Sequence, residues 1–503
     1  MHSRKFRILT ASIILLFLYS CIKTKLYVSP SEGDKISGAK KIIVTLNDGT
    51  EVELKNVKVE NKKIIGETQN ETRKEIDFSL IATVAIEKKN YTYAILYGGV
   101  AILAALLIYG METAPEPPPP ESCPFIHSFN GDKYIFDAEP YGAAICQGLK
   151  RTELCGLEHI EEVDGKYRLL ITNELEETQY TDELNLLVVD HPPGVKAVPN
   201  TLGGIHTISY PFPPHIAYDN RGKGLLPYVD KKDGVFWQSR IEEKNPAKKE
   251  DLRDELIFEF PKPRKSKDAK LIVNAYTTFW GSQILKRFLD LHGNEIHEWY
   301  SEVNNFGPAY YKVTNMNIRE ELYYLKIKVE TESGWKSKGL IFGGGPFISD
   351  DKAYPIDISD VPGDTIKIKL VPPACFWMID YIAIDYTEDL PIQIAEIEPI
   401  EAMDHKGKDV REILAKNDNN YLIMPNTGDF AELVFKSPPR QDGLERSVIL
   451  RASGYYDIHL EAKGEPRREI LRRFLGEPEF AVQYAFKEYL NWKEKNMNRI
   501  KRK

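Results

Sequence analysis

Residues 122–194 constrain the fold of this chain more than any other stretch, because apolar and polar side chains alternate there with a period of two between strong turn signals. Tyr167, Leu169 and Ile171, then Leu184, Leu186 and Val188, put an apolar residue at every second position, the pattern of half-buried strands. Asn130-Gly131 marks a hairpin, since a two-residue type I′ turn needs φ > 0 at both central positions and Asn and Gly tolerate that best. Counting outward from that turn sets His127 opposite Tyr134, Ile126 opposite Ile135 and Phe125 opposite Phe136. Asp190-His191-Pro192-Pro193-Gly194 ends the run, because proline has no N–H to give to a ladder.

A chain of 503 residues with 42% hydrophobic and 11% aromatic side chains has enough apolar material for several cores. Its formal charge of −8 argues against nucleic acid as a partner, since phosphate binding needs a basic face. No self-similarity at 30 to 50 residues indicates a repeat array.

The first residues combine Arg4, Lys5 and Arg7 with an apolar run over 8–19, the form of a signal-peptide core over 1–20. The run ends in Leu18-Tyr19-Ser20-Cys21, which resembles the bacterial lipobox; the resemblance implies that Cys21 is lipidated and becomes the mature N-terminus. Tyr19 is an unusual residue at its place in that motif.

Residues 25–90 read as a small barrel of short strands that resembles an Sm-like module with a structural or docking role. In it a loop at Asn47-Asp48-Gly49 pairs Ile42 with Leu54 and Val44 with Val52. Residues 91–111 include 19 without a charge, 93–111, and the length predicts a hydrophobic, transmembrane helix. A Pro-rich linker over 112–122 follows as a polyproline II spacer. Topological signals disagree. A lipidated Cys21 followed by one span returns the body to the cytoplasmic side, whereas Lys88 and Lys89 before the helix and Glu112 and Glu116 after it favour a body outside. The preferred expectation is a main body that is extracytoplasmic, in the periplasm or at the cell surface.

Beyond the linker the expectation is mainly β with some α: a β-rich domain over 123–345 with an inserted amphipathic helix at about 282–300, a β-sandwich over 346–464, and a helical basic tail over 465–503. In the tail, Val482, Phe486 and Tyr489 recur at i, i+4 and i+7 beside Ala481 and Ala485, the stripe of an amphipathic docking helix. The segments DISDVPGDTIKIKLVPPACFWMIDYIAIDYT, GKDVREILAKNDNNYLIMPNTGDFAELVFKSPP and RSVILRASGYYDI resemble a module of uncharacterised bacterial exported proteins, some carrying TPR or FG-GAP repeats. The resemblance covers roughly 123–489, implies jelly-roll-like sandwiches and brings no activity with it.

Chemistry-bearing motifs are sparse. His292 and His297 are five apart, about 140° round a helix, so they share no face and no zinc site is indicated. Gly343-Gly344-Gly345 precedes Pro346 and a strand, so it reads as a turn and not as a phosphate loop. Asp380 and Asp385 are one carboxylate pair among 75 acidic residues, a number at which neighbours arise by chance. Cys146 and Cys155 are the best local disulfide pair in a compartment that permits one, against the alternative that the cysteines beyond Cys21 are buried thiols. Trp335, Trp377 and Trp299 are the candidate ligand-stacking aromatics, although the alternation in FWMID turns Trp377 inward. No catalytic residue, metal site or cofactor is indicated. The expected function is a membrane-anchored lipoprotein with a binding or cell-envelope structural role, the partners being the membrane and other envelope proteins or polysaccharide. A carbohydrate-binding or glycoside-processing protein is the alternative.

Overall fold

The protein, seen in a computed structural model, is described over residues 23–28, 36–37, 39–48, 50–68, 70–89 and 124–501. It is mainly β, built from antiparallel sheets, and divides into two compact units that part near residue 115. The lipobox-like Cys21 and the segment 91–111 lie outside the described residues. The expectation of a transmembrane helix is corrected: among the described residues no helix is long and apolar enough to cross a membrane.

In the N-terminal unit six strands hydrogen-bond in the order Lys23–Val28, Ile81–Lys89, Lys41–Leu46, Glu51–Glu60, Lys63–Glu67, Arg73–Asp77. Ile42 pairs with Leu54 and Val44 with Val52, the register set by alternation and the intervening loop. Ile42, Val44, Leu54, Ile64, Val84 and Ile86 are buried together, so one face of the sheet makes the core. Among the described residues no pairing joins the two edge strands.

The larger unit contains two sandwiches, one inserted into the other. The first pairs a sheet ordered Pro399–Asp404, Phe430–Lys436, Lys166–Thr172, Phe125–Phe129, Tyr134–Ala138 with a sheet ordered Gln393–Ile397, Glu177–His191, Glu445–Ile458, Arg151–Leu157. Leu169, Ile171, Leu433 and Phe435 from one sheet and Leu184, Leu186, Val188 and Leu450 from the other fill the space between them. The second sandwich takes its strands from the intervening chain. Leu256–Pro261, Thr365–Leu370 and Tyr324–Thr331 are the middle of one sheet, and Trp377–Asp385 and Asp268–Thr277 the middle of the other. The domain boundary expected at 345/346 therefore falls inside this second sandwich, between the strands Gly334–Phe342 and Asp351–Asp357. A domain whose strands come from two distant parts of the chain leaves no linear mark in composition.

The central hairpin has a longer turn than expected. Phe129 pairs with Tyr134 and His127 with Phe136, because Asn130 Oδ1 accepts hydrogen bonds from the amides of Asp132 and Lys133 and closes a four-residue loop. The register moves by two residues, which keeps each side chain on its expected face. A bulge then sets Ile126 opposite Ala138.

Three helices follow strand Asp268–Thr277: α1 (Phe279–Asp290), α2 (Ile296–Asn304) and α3 (Pro308–Glu320). The single helix expected over 282–300 is thus two, because Gly293 turns the chain at φ +55 against the backbone of Gly464, where a Cβ would stand 2.4 Å from the carbonyl oxygen. Tyr310 to Val313, a stretch whose aromatic and β-branched residues favour a strand locally, are helical; Pro308 pre-sets the first turn of α3. Two C-terminal helices, α4 (Arg468–Gly476) and α5 (Phe480–Lys501), close the unit. Thr278 caps α1, its side chain accepting from the Gly281 amide. Ala481, Val482, Ala485 and Phe486 of α5 are fully buried in the core of the second sandwich. Phe486→Ala should therefore cost about 3–5 kcal/mol of stability, whereas Lys487→Ala on the exposed side should stay within about 0.5 kcal/mol. Urea unfolding of the two variants checks this, and equal midpoints would refute docking of α5.

Candidate functional site

The helices enclose a cavity of about 250 Å³. Leu285, Phe288 and Leu289 of α1, Trp299 of α2, Val313 and Met316 of α3, and Leu471 and Phe474 of α4 supply most of its wall. Ile145 and Leu322, both buried, close it on the side of the β-sheets. Three lining residues are exposed, Glu302, Lys312 and Leu475, and they mark its opening to solvent. Positions 309, 312, 313, 316 and 317 of α3 all line the space, at the i, i+3, i+4, i+7 spacing that puts side chains on one face of a helix.

The few polar groups in the wall are mostly committed or neutral. Tyr323 donates its hydroxyl to the Gly281 carbonyl at 2.6 Å, and Asn317 Oδ1 accepts from the Tyr323 amide at 2.9 Å. Burial lowers the His292 pKa to about 4, so its imidazole is uncharged at neutral pH; its ring lies 5.1 Å from that of Trp299. Glu302 Oε2 accepts from the Ala309 amide at 3.3 Å at the start of α3. Lys312 has no hydrogen-bond or ion-pair partner among the described residues. An apolar chamber with a few polar groups at its edge has the make-up of spaces in which small molecules bind. Among the described residues no group of three or more His, Cys, Asp or Glu side chains converges to hold a metal.

A second constellation lies between the two sandwiches. Glu139, only 5% exposed, sits against the Gly343-Gly344-Gly345 run so tightly that a Cβ on Gly345 would stand 1.9 Å from its carboxyl carbon. Its Oε2 accepts from the Phe347 amide at 3.0 Å, while Oε1 is buried without a partner. Burial holds the Glu139 carboxyl well above the usual carboxylate range, against the pull of the Phe347 and Ile348 amides. Around it, Lys352 bonds to Asp350 at 2.7 Å and to the Leu154 carbonyl, and Glu153 accepts from the Tyr141 amide at 2.8 Å and from Arg151 at 3.3 Å. Burial alone favours neutral Glu153, yet Arg151 and Lys352 outweigh it and leave its pKa below the ordinary value. This seam joins the two sandwiches around a cavity of about 20 Å³, the size of a water molecule; the glycine run, read from sequence as a turn, makes space for a buried carboxyl. A run of glycines beyond what a turn requires is the signal that marks it.

The sequence-derived candidates do not meet in space. Trp377 is core, its indole donating to the Glu321 carbonyl, and Trp335 lies on another sheet with Lys369 Nζ 4.6 Å over its ring. Only Trp299 reaches the cavity. Cys146 and Cys155 are separate free thiols: Cys146 packs with Val303 and Ala309, and Cys155 lies in the first sandwich core. Burial pushes the Cys146 thiol up to about 12. Asp385 accepts from the amides of Ser209, Tyr210 and Thr387, and Asp380 from that of Gly234, so each carboxylate holds a separate loop. Lys312 and the wall of α3 were missed because Tyr310-Tyr311 reads locally as strand.

No family model and no curated protein matches this chain.

The raised Glu139 pKa makes a signed prediction. The folded state keeps this proton to a higher pH than the unfolded chain, so stability falls as pH rises from about 4.5 through the folded value. Glu139→Gln, neutral throughout, should gain stability relative to the parent as pH goes from about 5 to 8. Urea midpoints at four pH values test it, and curves that stay parallel would count against a protonated Glu139.

Proposed function

We propose that this chain is a lipid-anchored protein of the bacterial cell envelope whose extracytoplasmic body binds a small apolar molecule in the helix-lined cavity. The observation that carries the binding reading is the cavity itself. An apolar cavity of about 150 Å³ suffices to take up benzene, so one of 250 Å³ accepts an apolar body of about ten carbon atoms. Arg4, Lys5 and Arg7 ahead of an apolar run, with Cys21 closing it, support the anchor, as does the resemblance of the body to modules of exported bacterial proteins. The N-terminal six-stranded sheet, whose edge strands have no outer partner among the described residues, suits a docking role toward other envelope proteins or polysaccharide. The carbohydrate-binding or glycoside-processing alternative draws no support from Trp299, Trp335 and Trp377, which share no face.

Two measurements test this reading. 1-Fluoronaphthalene, with about ten carbons, should give a shifted or broadened ¹⁹F resonance with the full-length chain and a free one with Val313→Trp, which fills the cavity. Identical spectra for the two proteins at equal thermal stability would overturn binding in this cavity. Labelling cells with palmitate should mark the parent chain and leave Cys21→Ala unmarked; an unlabelled parent removes the anchor.

A further inference from the structure

Resting on the cavity reading, we infer that the ligand is a single-chain amphiphile with a carboxylate head: its alkyl chain of about ten carbons lies along α3, and its head pairs with Lys312 at the mouth. Three observations converge on this class. The first is dimension. The lining positions of α3 run from Ala309 to Asn317, nine residues whose ends are about 12 Å apart along the helix axis. An extended alkyl chain of about ten carbons covers the same length, since each C–C bond of about 1.5 Å advances it by roughly 1.25 Å. The volume of 250 Å³ gives the same carbon number independently.

The second is the distribution of charge. Lys312 is the one cationic side chain in the lining, because burial keeps His292 neutral. It stands at the exposed edge and has no partner among the described residues. The one carboxylate at the same edge, Glu302, is already engaged with the Ala309 amide at the positive end of α3. Glu302 keeps its charge but is turned to the positive end of α3 by that bond, so the charge at the opening left without a partner among the described residues is that of Lys312, and the head group that complements it is an anion.

The third is the chemistry of the interior. Tyr323 spends its hydroxyl on Gly281 and Asn317 Oδ1 accepts from the Tyr323 backbone, so that beside the Asn317 Nδ2 amide and the neutral His292 ring the inner wall is aliphatic or aromatic. A ligand with a polar group away from those two would strand it without a partner, which a plain alkyl tail avoids.

The test uses the full-length chain and three photoreactive probes with the same ten-carbon, diazirine-tipped tail and a carboxylate, a trimethylammonium or a hydroxyl head. Cross-linked peptides are quantified by mass spectrometry. The carboxylate probe should label α1, α3 and α4 peptides at about tenfold lower concentration than the trimethylammonium probe, the span of one charge-assisted contact. Lys312→Glu, at an exposed position, should remove or reverse that preference and leave the hydroxyl probe within about twofold. Equal labelling by all three heads, or an unchanged preference in Lys312→Glu, overturns the carboxylate assignment while leaving cavity binding intact. Absence of labelling in these helices by any probe overturns cavity binding itself, and the carboxylate assignment with it.

Discussion

The antiparallel pairing of Glu177–His191 with Glu445–Ile458 is the interaction on which the larger unit depends. It joins fourteen registered positions across more than 250 residues of intervening chain, and the strands of the second sandwich are all inserted between the partners. Loop-closure entropy grows only with the logarithm of length, so the long insertion adds little to the cost of forming this pair. The first of these strands is covered on both faces. Leu184, Leu186 and Val188 enter the sandwich core, while Leu187 and Val189 pack with Leu154, Ala197 and Ile449. A bulge at Thr181/Glu183 frees Asp182 from the ladder, and its buried carboxylate holds Lys150 and the amides of Asp418 and Asn419. The irregularity in the strand is thus what ties down the loop before Arg151–Leu157.

Where the inserted sandwich meets the one that carries it, a buried polar cluster sits beside apolar contacts such as Phe125 against Phe347. Lys352, with its pKa raised by Asp350, Cys155 and Glu153 against the effect of burial, is the positive centre. Glu139 is the member without full compensation, and burial holds its carboxyl well above the ordinary carboxylate range. A network in which most groups are satisfied and one is not fixes the relative setting of two β-layers more sharply than apolar contact does, because each mismatch leaves a buried group unpaired.

The helices meet other demands. α1 and α5 bury Trp280, Ile284, Val482 and Phe486 against the second sandwich, whereas α3 and α4 bury one apolar side chain each, Ala309 and Phe474, beside half-buried Val313 and Met316 and exposed Leu475. Short helices that diverge from a sheet leave space between them, and here that space is lined by apolar side chains and opens beside a lysine.

The sequence by itself determined the mainly β character, the face that each strand buries in residues 166–191, the pairing of Ile42 with Leu54 and Val44 with Val52, and the apolar stripe of α5. These are local quantities, set by period-two or i, i+4 spacing and by turn residues. It did not determine the hairpin register at Asn130, because the choice between a two- and a four-residue turn rests on hydrogen bonds from one side chain. It was silent on the insertion of one sandwich into the other, on Glu139 against Gly345, and on Lys312 beside the cavity. Those features join residues hundreds of positions apart, and only the tertiary structure, by burying one partner against the other, decides which of many equivalent carboxylates and lysines acquires a role.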